Sequence, residues 1–181
     1  NSTNDILNVS SLFGYKLTKK IAASALGEMN TSIENFLEPG TIDFGLGATW
    51  TPNSNLVVVV HPLNYRISFP PSDSLDISSE GAVGAKLRAD YARNLKISGK
   101  DVNWSSTLTA FIPYSDTKMM VTDLEGNAQE AGLEELTWLN TLSFTIWKGI
   151  GVGATFGFRN ADFEVYEEWQ KFYALGLTYT L

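Results

Sequence analysis

His61 is the single histidine of the chain and therefore the first candidate for acid–base chemistry. A serine hydrolase needs a nucleophilic serine, a histidine base beside it and a third group that orients the histidine. No serine lies in a motif that marks a nucleophile. Strand alternation places His61 with Val59, Leu63 and Tyr65 on an apolar face, although Pro62 could introduce a bulge that turns the imidazole around. We expect a structural histidine and predict no catalytic residue.

A second group of residues could select ions. Charged residues recur on the polar faces of several predicted strands, where a ring of charge can set the ion preference of a pore. Positive and negative residues are mixed, however, and this favours ion pairs that fill a narrow interior. The predicted lumen-facing charges are Glu28, Asp43, Arg66, Lys86, Arg88, Asp90 and Arg159.

The remaining acidic and glycine-rich patterns predict neither a metal site nor a cofactor. Carboxylates suit hard cations such as Ca²⁺, but no EF-hand spacing is present and residues 123–127 have the composition of a turn. The adjacent acids Glu134 and Glu135 point to opposite sides of a strand, so they share no catalytic site. Glycine pairs such as Gly45 and Gly47 are not nucleotide loops because no helix follows. The chain has no cysteine, which excludes thiolate ligands and disulfides.

Period-two alternation of apolar and polar residues predicts the β-strands that must position these groups. It is clearest from Trp169 to Leu181, where Tyr173, Leu175 and Leu177 fall on one side. Several strands exceed the ~5–6 residues common in soluble sheets and reach the ~9–11 needed to cross a membrane. We predict nine strands, at residues 6–17, 20–32, 41–51, 56–69, 80–97, 102–115, 134–147, 150–163 and 169–181.

Alternation alone leaves open which face is inside, because a lipocalin-like soluble barrel turns its apolar face inward. Strand length, charge and glycine on the polar faces, and aromatic residues near strand ends favour lipid on the apolar side. We therefore predict an all-β, antiparallel transmembrane β-barrel forming one domain over residues 1–181, closed by strand 169–181. Its predicted membrane-interface aromatics are Tyr15, Trp50, Phe69, Trp104, Tyr114, Trp138, Trp169 and Tyr179.

Short and long connections alternate along the chain, as periplasmic turns and external loops do in outer-membrane barrels. The long links 33–40, 70–79, 116–133 and 164–168, with the adjoining strand ends, hold 15 of the 20 acidic residues, whereas lysines occupy the short turns. Counting back from a periplasmic Leu181 places Asn1 outside the cell. Bacterial single-chain barrels have even strand numbers, so we expect about ten to twelve strands in all, the additional ones lying upstream or coming from another chain.

Four short motifs carry a resemblance to a known family. They are Asp5 ahead of Leu12-Phe13-Gly14-Tyr15-Lys16, then Gly45-Leu46-Gly47, His61-Pro62-Leu63 with Arg66, and Tyr173-Ala174-Leu175-Gly176-Leu177-Thr178-Tyr179. The stretch from Ser11 to Phe69 and the final third resemble an uncharacterised family of Bacteroidetes outer-membrane barrels, in which a further N-terminal strand region is usual. The resemblance implies a bacterial outer-membrane location and supplies no activity or catalytic residue.

We predict a non-enzymatic structural or accessory component of an envelope protein complex. Its expected partners are outer-membrane lipid, lipopolysaccharide and other outer-membrane or periplasmic proteins. One alternative is a narrow porin-like channel for small solutes or ions, and a second is an outer-membrane lipid-modifying enzyme. The net charge of −7 argues against nucleic-acid binding.

Overall fold

The computed structural model describes residues 6–33, 36–37, 39–70, 79–97, 99–122, 128–147, 150–161 and 169–179. Regular structure in these ranges is entirely β. No helix among them is long and apolar enough to cross a membrane. The predicted turn at residues 148–149, the predicted link 164–168 and the final residue Leu181 lie outside the described ranges.

Nine long strands form one antiparallel sheet, and each pairs with its predecessor and successor in that sheet. The nine predicted strands are confirmed, with ends that differ by a few residues. They are β1 (Ile6–Lys16), β2 (Ile21–Ser32), β3 (Gly40–Asn53), β4 (Leu56–Phe69), β5 (Glu80–Ile97), β6 (Lys100–Pro113), β9 (Glu135–Trp147), β10 (Ile150–Ala161) and β11 (Gln170–Tyr179).

A short hairpin interrupts this order between β6 and β9. Its strands are β7 (Lys118–Thr122) and β8 (Ala128–Gly132), which pair antiparallel with each other and belong to a separate two-stranded sheet. The sequence predicts an open link over 116–133, and that prediction is wrong for these ten residues. Each of these strands is only five residues long, so their alternation is too brief to stand out.

The large sheet is strongly curved, because side chains of distant strands meet across one of its faces. Lys86 Nζ on β5 lies 3.0 Å from Glu28 Oε2 on β2, although β3 and β4 lie between them. Arg66 Nη1 on β4 likewise lies 2.7 Å from Glu135 Oε2 on β9. We call this the concave face. Strands β1 and β11 are the edges of the sheet, and no hydrogen-bonded ladder joins them within the described residues.

The two faces have opposite polarity. The convex face exposes large apolar side chains, among them Phe13 (73 %), Tyr15 (76 %) and Leu63 (63 %). The concave face instead buries charged groups such as Asp43 and Arg66. Water-soluble sheets normally bury their apolar face and hydrate their polar face, so this molecule is inverted relative to them.

The concave face is closed at one end and open at the other. Along β5 its side chains are buried at Ala82 and Lys86, half-buried at Arg88, and exposed at Asn94 and Lys96. The closed end is covered by an apolar cluster of the hairpin and the adjoining sheet, which we call the hairpin cap. Its buried members are Ala82, Phe111, Met119, Val121, Ala131 and Leu133.

Candidate functional site

Six charged side chains from six strands converge beneath the hairpin cap. Alternation directs them to the concave face, and the curvature of the sheet brings them within ion-pair distance of one another. Three are acids and three are bases, so the group has no formal net charge. We call it the charge cluster: Glu28, Asp43, Arg66, Lys86, Glu135 and Arg159.

Asp43 is the centre of the charge cluster. Arg66 donates from Nε to Oδ1 and from Nη2 to Oδ2, both at 3.0 Å. Lys86 donates from Nζ to Oδ2 at 2.7 Å, and Asn64 donates from Nδ2 to Oδ1 at 2.7 Å. A buried carboxylate needs such compensation, because its desolvation costs several kcal/mol. The arrangement is a closed network of charge-assisted hydrogen bonds around one anion.

Glu135 extends the network to the far side of the concave face. Its Oε2 accepts from Arg66 Nη1 at 2.7 Å, and its Oε1 lies 3.0 Å from Arg159 Nη2. Sequence reasoning grouped Glu135 with the acids of the long links and missed this role. The parity of β9 was the available signal, since Glu135 shares a face with Thr137 and Thr141.

The charge cluster and the hairpin cap are in direct contact. The Arg66 guanidinium carbon lies 4.2 Å from the centroid of the Phe111 ring, a cation–π contact. Phe111 is fully buried and belongs to the cap. Arg66 therefore joins the ionic and apolar layers.

The other predicted lumen-facing charges, Arg88 and Asp90, lie nearer the open end. They form an ion pair of 2.8 Å whose side chains are 41 % and 35 % exposed. All seven predicted residues thus lie on the concave face and take part in ion pairs. A cavity of 470 Å³ on this face is lined by charged residues of the cluster and by Arg88. Uncharged amides and hydroxyls line it as well: Asn8, Asn30, Thr107, Thr109, Thr137 and Thr155.

His61 is fully buried on the concave face, which corrects its predicted place on the apolar face. The pairing of β4 with β5 shifts between His61 and Asn64 because Pro62 and Leu63 form a bulge at which both are exposed. The extra residue inverts the alternation. Val59 is buried with His61 and is corrected with it, whereas the predicted outward position of Leu63 agrees with its exposure. The bulge foreseen at Pro62 is confirmed.

The imidazole of His61 bridges two strands that are not neighbours. Its Nε2 lies 2.9 Å from the Oγ of Ser24 on β2, across the glycines of β3. A Cβ placed on Gly47 would lie 2.7 Å from His61 Cα and would collide with the Val60 carbonyl oxygen. Gly45 is equally close, since its Cβ would lie 2.9 Å from His61 Nδ1. The two glycines therefore create the space that the histidine fills.

The pair of Ser24 and His61 lacks the third member of a catalytic triad. Thr49 Oγ1 donates to Ser24 Oγ at 3.1 Å, which holds the serine in place. His61 Nδ1 is buried and has no hydrogen-bond partner in the described part of the chain. No described carboxylate hydrogen-bonds to the imidazole, so the geometry is that of a structural bridge between β2 and β4.

The predicted interface aromatics occupy several positions around the sheet. Tyr15, Trp50, Tyr114 and Trp169 are exposed, and Phe69 is half-buried. Trp104 on β6 and Trp138 on β9 belong to the convex series, where their indole nitrogens donate to Asn140 Oδ1 (3.4 Å) and Ser106 Oγ (2.9 Å). The side chain of Tyr179 lies outside the described part of the structure.

The described residues contain no group of three or more His, Asp and Glu side chains placed to hold a metal ion. Searches of protein-family models, of curated proteins and of solved structures found no match to this chain. The resemblance to the Bacteroidetes family therefore stays a prediction.

Proposed function

We propose that the protein is a β-barrel of the bacterial outer membrane with a filled, non-conducting interior. It acts as a structural or accessory component of an envelope protein complex and has no enzymatic activity. The observation that carries the proposal is the inverted polarity of the sheet. Its convex face exposes Phe13, Leu46 and Leu63, while its concave face buries the charge cluster. Such apolar exposure is costly in water and favourable in lipid.

Two features support a filled interior. The charge cluster spans the concave face from β2 to β10 through ion pairs of 2.7–3.0 Å. Above it the hairpin cap closes the end of the sheet that carries the long connections. A solute would have to break both layers to pass. This is the reason for preferring an accessory barrel to a porin-like channel.

Membrane insertion and conductance test the two halves of the proposal. Protein reconstituted into planar bilayers and into liposomes should resist alkaline extraction from the liposomes and give no reproducible conductance steps in the bilayer. Release of the protein by alkali would refute the membrane location. Stable unitary conductance in an inserted protein would instead favour the narrow channel.

One observation favours a lipid-modifying enzyme as a second candidate. His61 lies on the concave face, 2.9 Å from Ser24, beside a cavity of 190 Å³ with the apolar walls Leu12, Leu26, Val57 and Val59. A fluorophosphonate probe labels nucleophilic serines that have a working base. We expect no labelling, because Ser24 is buried and no acid among the described residues hydrogen-bonds to His61. Labelling that disappears in Ser24→Ala and His61→Gln would support the enzyme.

A further inference from the structure

The open end of the concave face is ringed by basic side chains. Lys16, Lys19 and Lys20 lie at the connection between β1 and β2, and Lys96 and Lys100 lie at the connection between β5 and β6. All are exposed, and none makes an ion pair within the described residues. We call this set the basic rim: Lys16, Lys19, Lys20, Lys96 and Lys100.

The two arcs of the basic rim face each other across the opening. The contact between Lys86 on β5 and Glu28 on β2 places these strands on opposite sides of the concave face. Asp101 is the single described acid beside the rim, so five bases and one acid leave four positive charges. The whole chain carries −7, so this end has the opposite sign.

Two residues of the basic rim, Lys16 and Lys96, lie on the concave side of the sheet. Lys16 shares the parity of Ser10, and Lys96 shares the parity of Lys86, so both belong to the concave series. Lipid in the proposed membrane would contact the convex face. Lys16 and Lys96 therefore face the aqueous opening, where a bilayer headgroup cannot follow them.

We propose that this opening docks an acidic peptide segment of a soluble partner protein, which enters the concave face from the short-turn end. The proposal rests on the accessory function for its setting, since the short turns would then face the periplasm. Charge complementarity selects the partner: a segment rich in Asp and Glu would be steered to the rim and oriented there. Next to the rim, Asn103 donates from Nδ2 to Asn94 Oδ1 at 2.9 Å, and the remaining amide donors and acceptors of this pair can hydrogen-bond to a peptide backbone. They lie beside a pocket of 230 Å³ that Asp101 also lines.

Fluorescence anisotropy with a short labelled peptide of glutamate and serine tests the docking. The full protein is used in neutral-lipid nanodiscs, and a lysine–serine peptide of equal length serves as the reference ligand. We expect saturable binding of the acidic peptide only, weakening as salt shortens the Debye length to about 8 Å at physiological ionic strength. The double variant Lys16→Gln/Lys96→Gln should bind about tenfold more weakly.

Lys118→Gln is the matched control, because Lys118 is an exposed lysine (45 %) at the closed end. Its affinity for the acidic peptide should equal that of the native protein. Equal losses in the control and the double variant would overturn the proposal, since the attraction would then be unspecific. Binding that appears only when the nanodisc contains anionic lipid would overturn it in favour of a lipid contact. Absent binding by a protein that inserts and does not conduct would refute the docking and leave the accessory barrel intact.

Discussion

Four hydrogen bonds converge on the carboxylate of Asp43, and three of them come from the cations Arg66 and Lys86. All three charged side chains are at most 2 % exposed. Each cation would be strongly unfavourable at this depth without the anion. The stability of the cluster therefore depends on keeping both signs, and loss of one partner is more damaging than the energy of the pair suggests.

Asp43→Asn should lower the free energy of unfolding by about 3–5 kcal/mol, because it removes the carboxylate that the buried cations Arg66 and Lys86 share. Each cation would then keep a single carboxylate partner, Glu135 and Glu28 respectively. Urea titration of the protein in detergent micelles, followed by tryptophan fluorescence, measures the change. Asp90→Asn is the control, since the side chains of its ion pair with Arg88 are 35 % and 41 % exposed. That variant should lose no more than about 1 kcal/mol. Equal losses in the two variants would contradict a special role for burial.

Gly47→Ala tests the contact that positions His61. The added methyl group would meet the Val60 carbonyl oxygen and the His61 imidazole, so β3 and β4 would have to separate. We expect a loss of about 1–3 kcal/mol in the same urea titration. Gly27→Ala is the comparison, because a Cβ there has nothing within 4 Å. If Gly47→Ala proved as mild as Gly27→Ala, the glycine would not be required for packing.

At the level of single side chains, the sequence predicts the polar residues of the concave face where alternation is regular. It does not predict those that follow a bulge or lie at a strand end. Glu28, Asp43 and Lys86 follow from alternation within unbroken strands. The position of His61 does not follow from alternation, because one extra residue at the bulge reverses the parity of the strand. The alternation of neighbouring residues does not reveal this extra residue. Glu135 was missed because a strand-end acid in an acidic region looks like a surface residue until curvature brings Arg66 to it.

Among the elements, the hairpin of β7 and β8 has one buried face and one exposed face. Met119 and Val121 are 1 % exposed in the cap, whereas their neighbour Met120 is 44 % exposed on the other side. The long strands were predictable because ten or more residues repeat one alternation. The hairpin was not, since five-residue strands gain their stability from Phe111 and Leu133, which lie outside them.

Val121→Asp should detach the hairpin cap while leaving the nine-stranded sheet in place. An unpaired carboxylate in the apolar cluster costs about 2–4 kcal/mol, and few other contacts hold the hairpin. Hydrogen exchange followed by mass spectrometry should report faster exchange in β7 and β8 and unchanged exchange in β3 and β4. Met120→Asp should exchange like the native protein. Faster exchange throughout the sheet would mean that the cap is part of the global fold.

For the molecule as a whole, the decisive property is the direction in which each face points. The sequence predicted two faces of unequal polarity. Alternation alone does not say which of them lies on the outside, so it cannot distinguish a lipid-facing exterior from an apolar interior. The curvature of the sheet identifies the polar face as the concave one, because the charged side chains of distant strands can meet only on that side. A closed barrel of about ten to twelve strands was expected as well, with further strands from upstream or from another chain, whereas the described residues form a curved sheet of nine strands whose edges are β1 and β11.

A cysteine scan measures which face of the sheet contacts lipid. The chain has no cysteine, so each introduced cysteine is the single site of labelling. Bimane attached at Leu46→Cys, Leu63→Cys or Ile112→Cys sits where the native side chain is 59–63 % exposed on the convex face. Brominated phospholipids should quench these labels because bromine acts only at short range within the bilayer. Labels at Thr109→Cys and Thr137→Cys line the concave cavity, so aqueous iodide should quench them and brominated lipid should not. The opposite pattern would require an apolar interior, and equal quenching at both sets would indicate a sheet lying on the membrane surface. Only the expected pattern fits a sheet whose apolar side is solvated by lipid and whose ionic side is shielded from it.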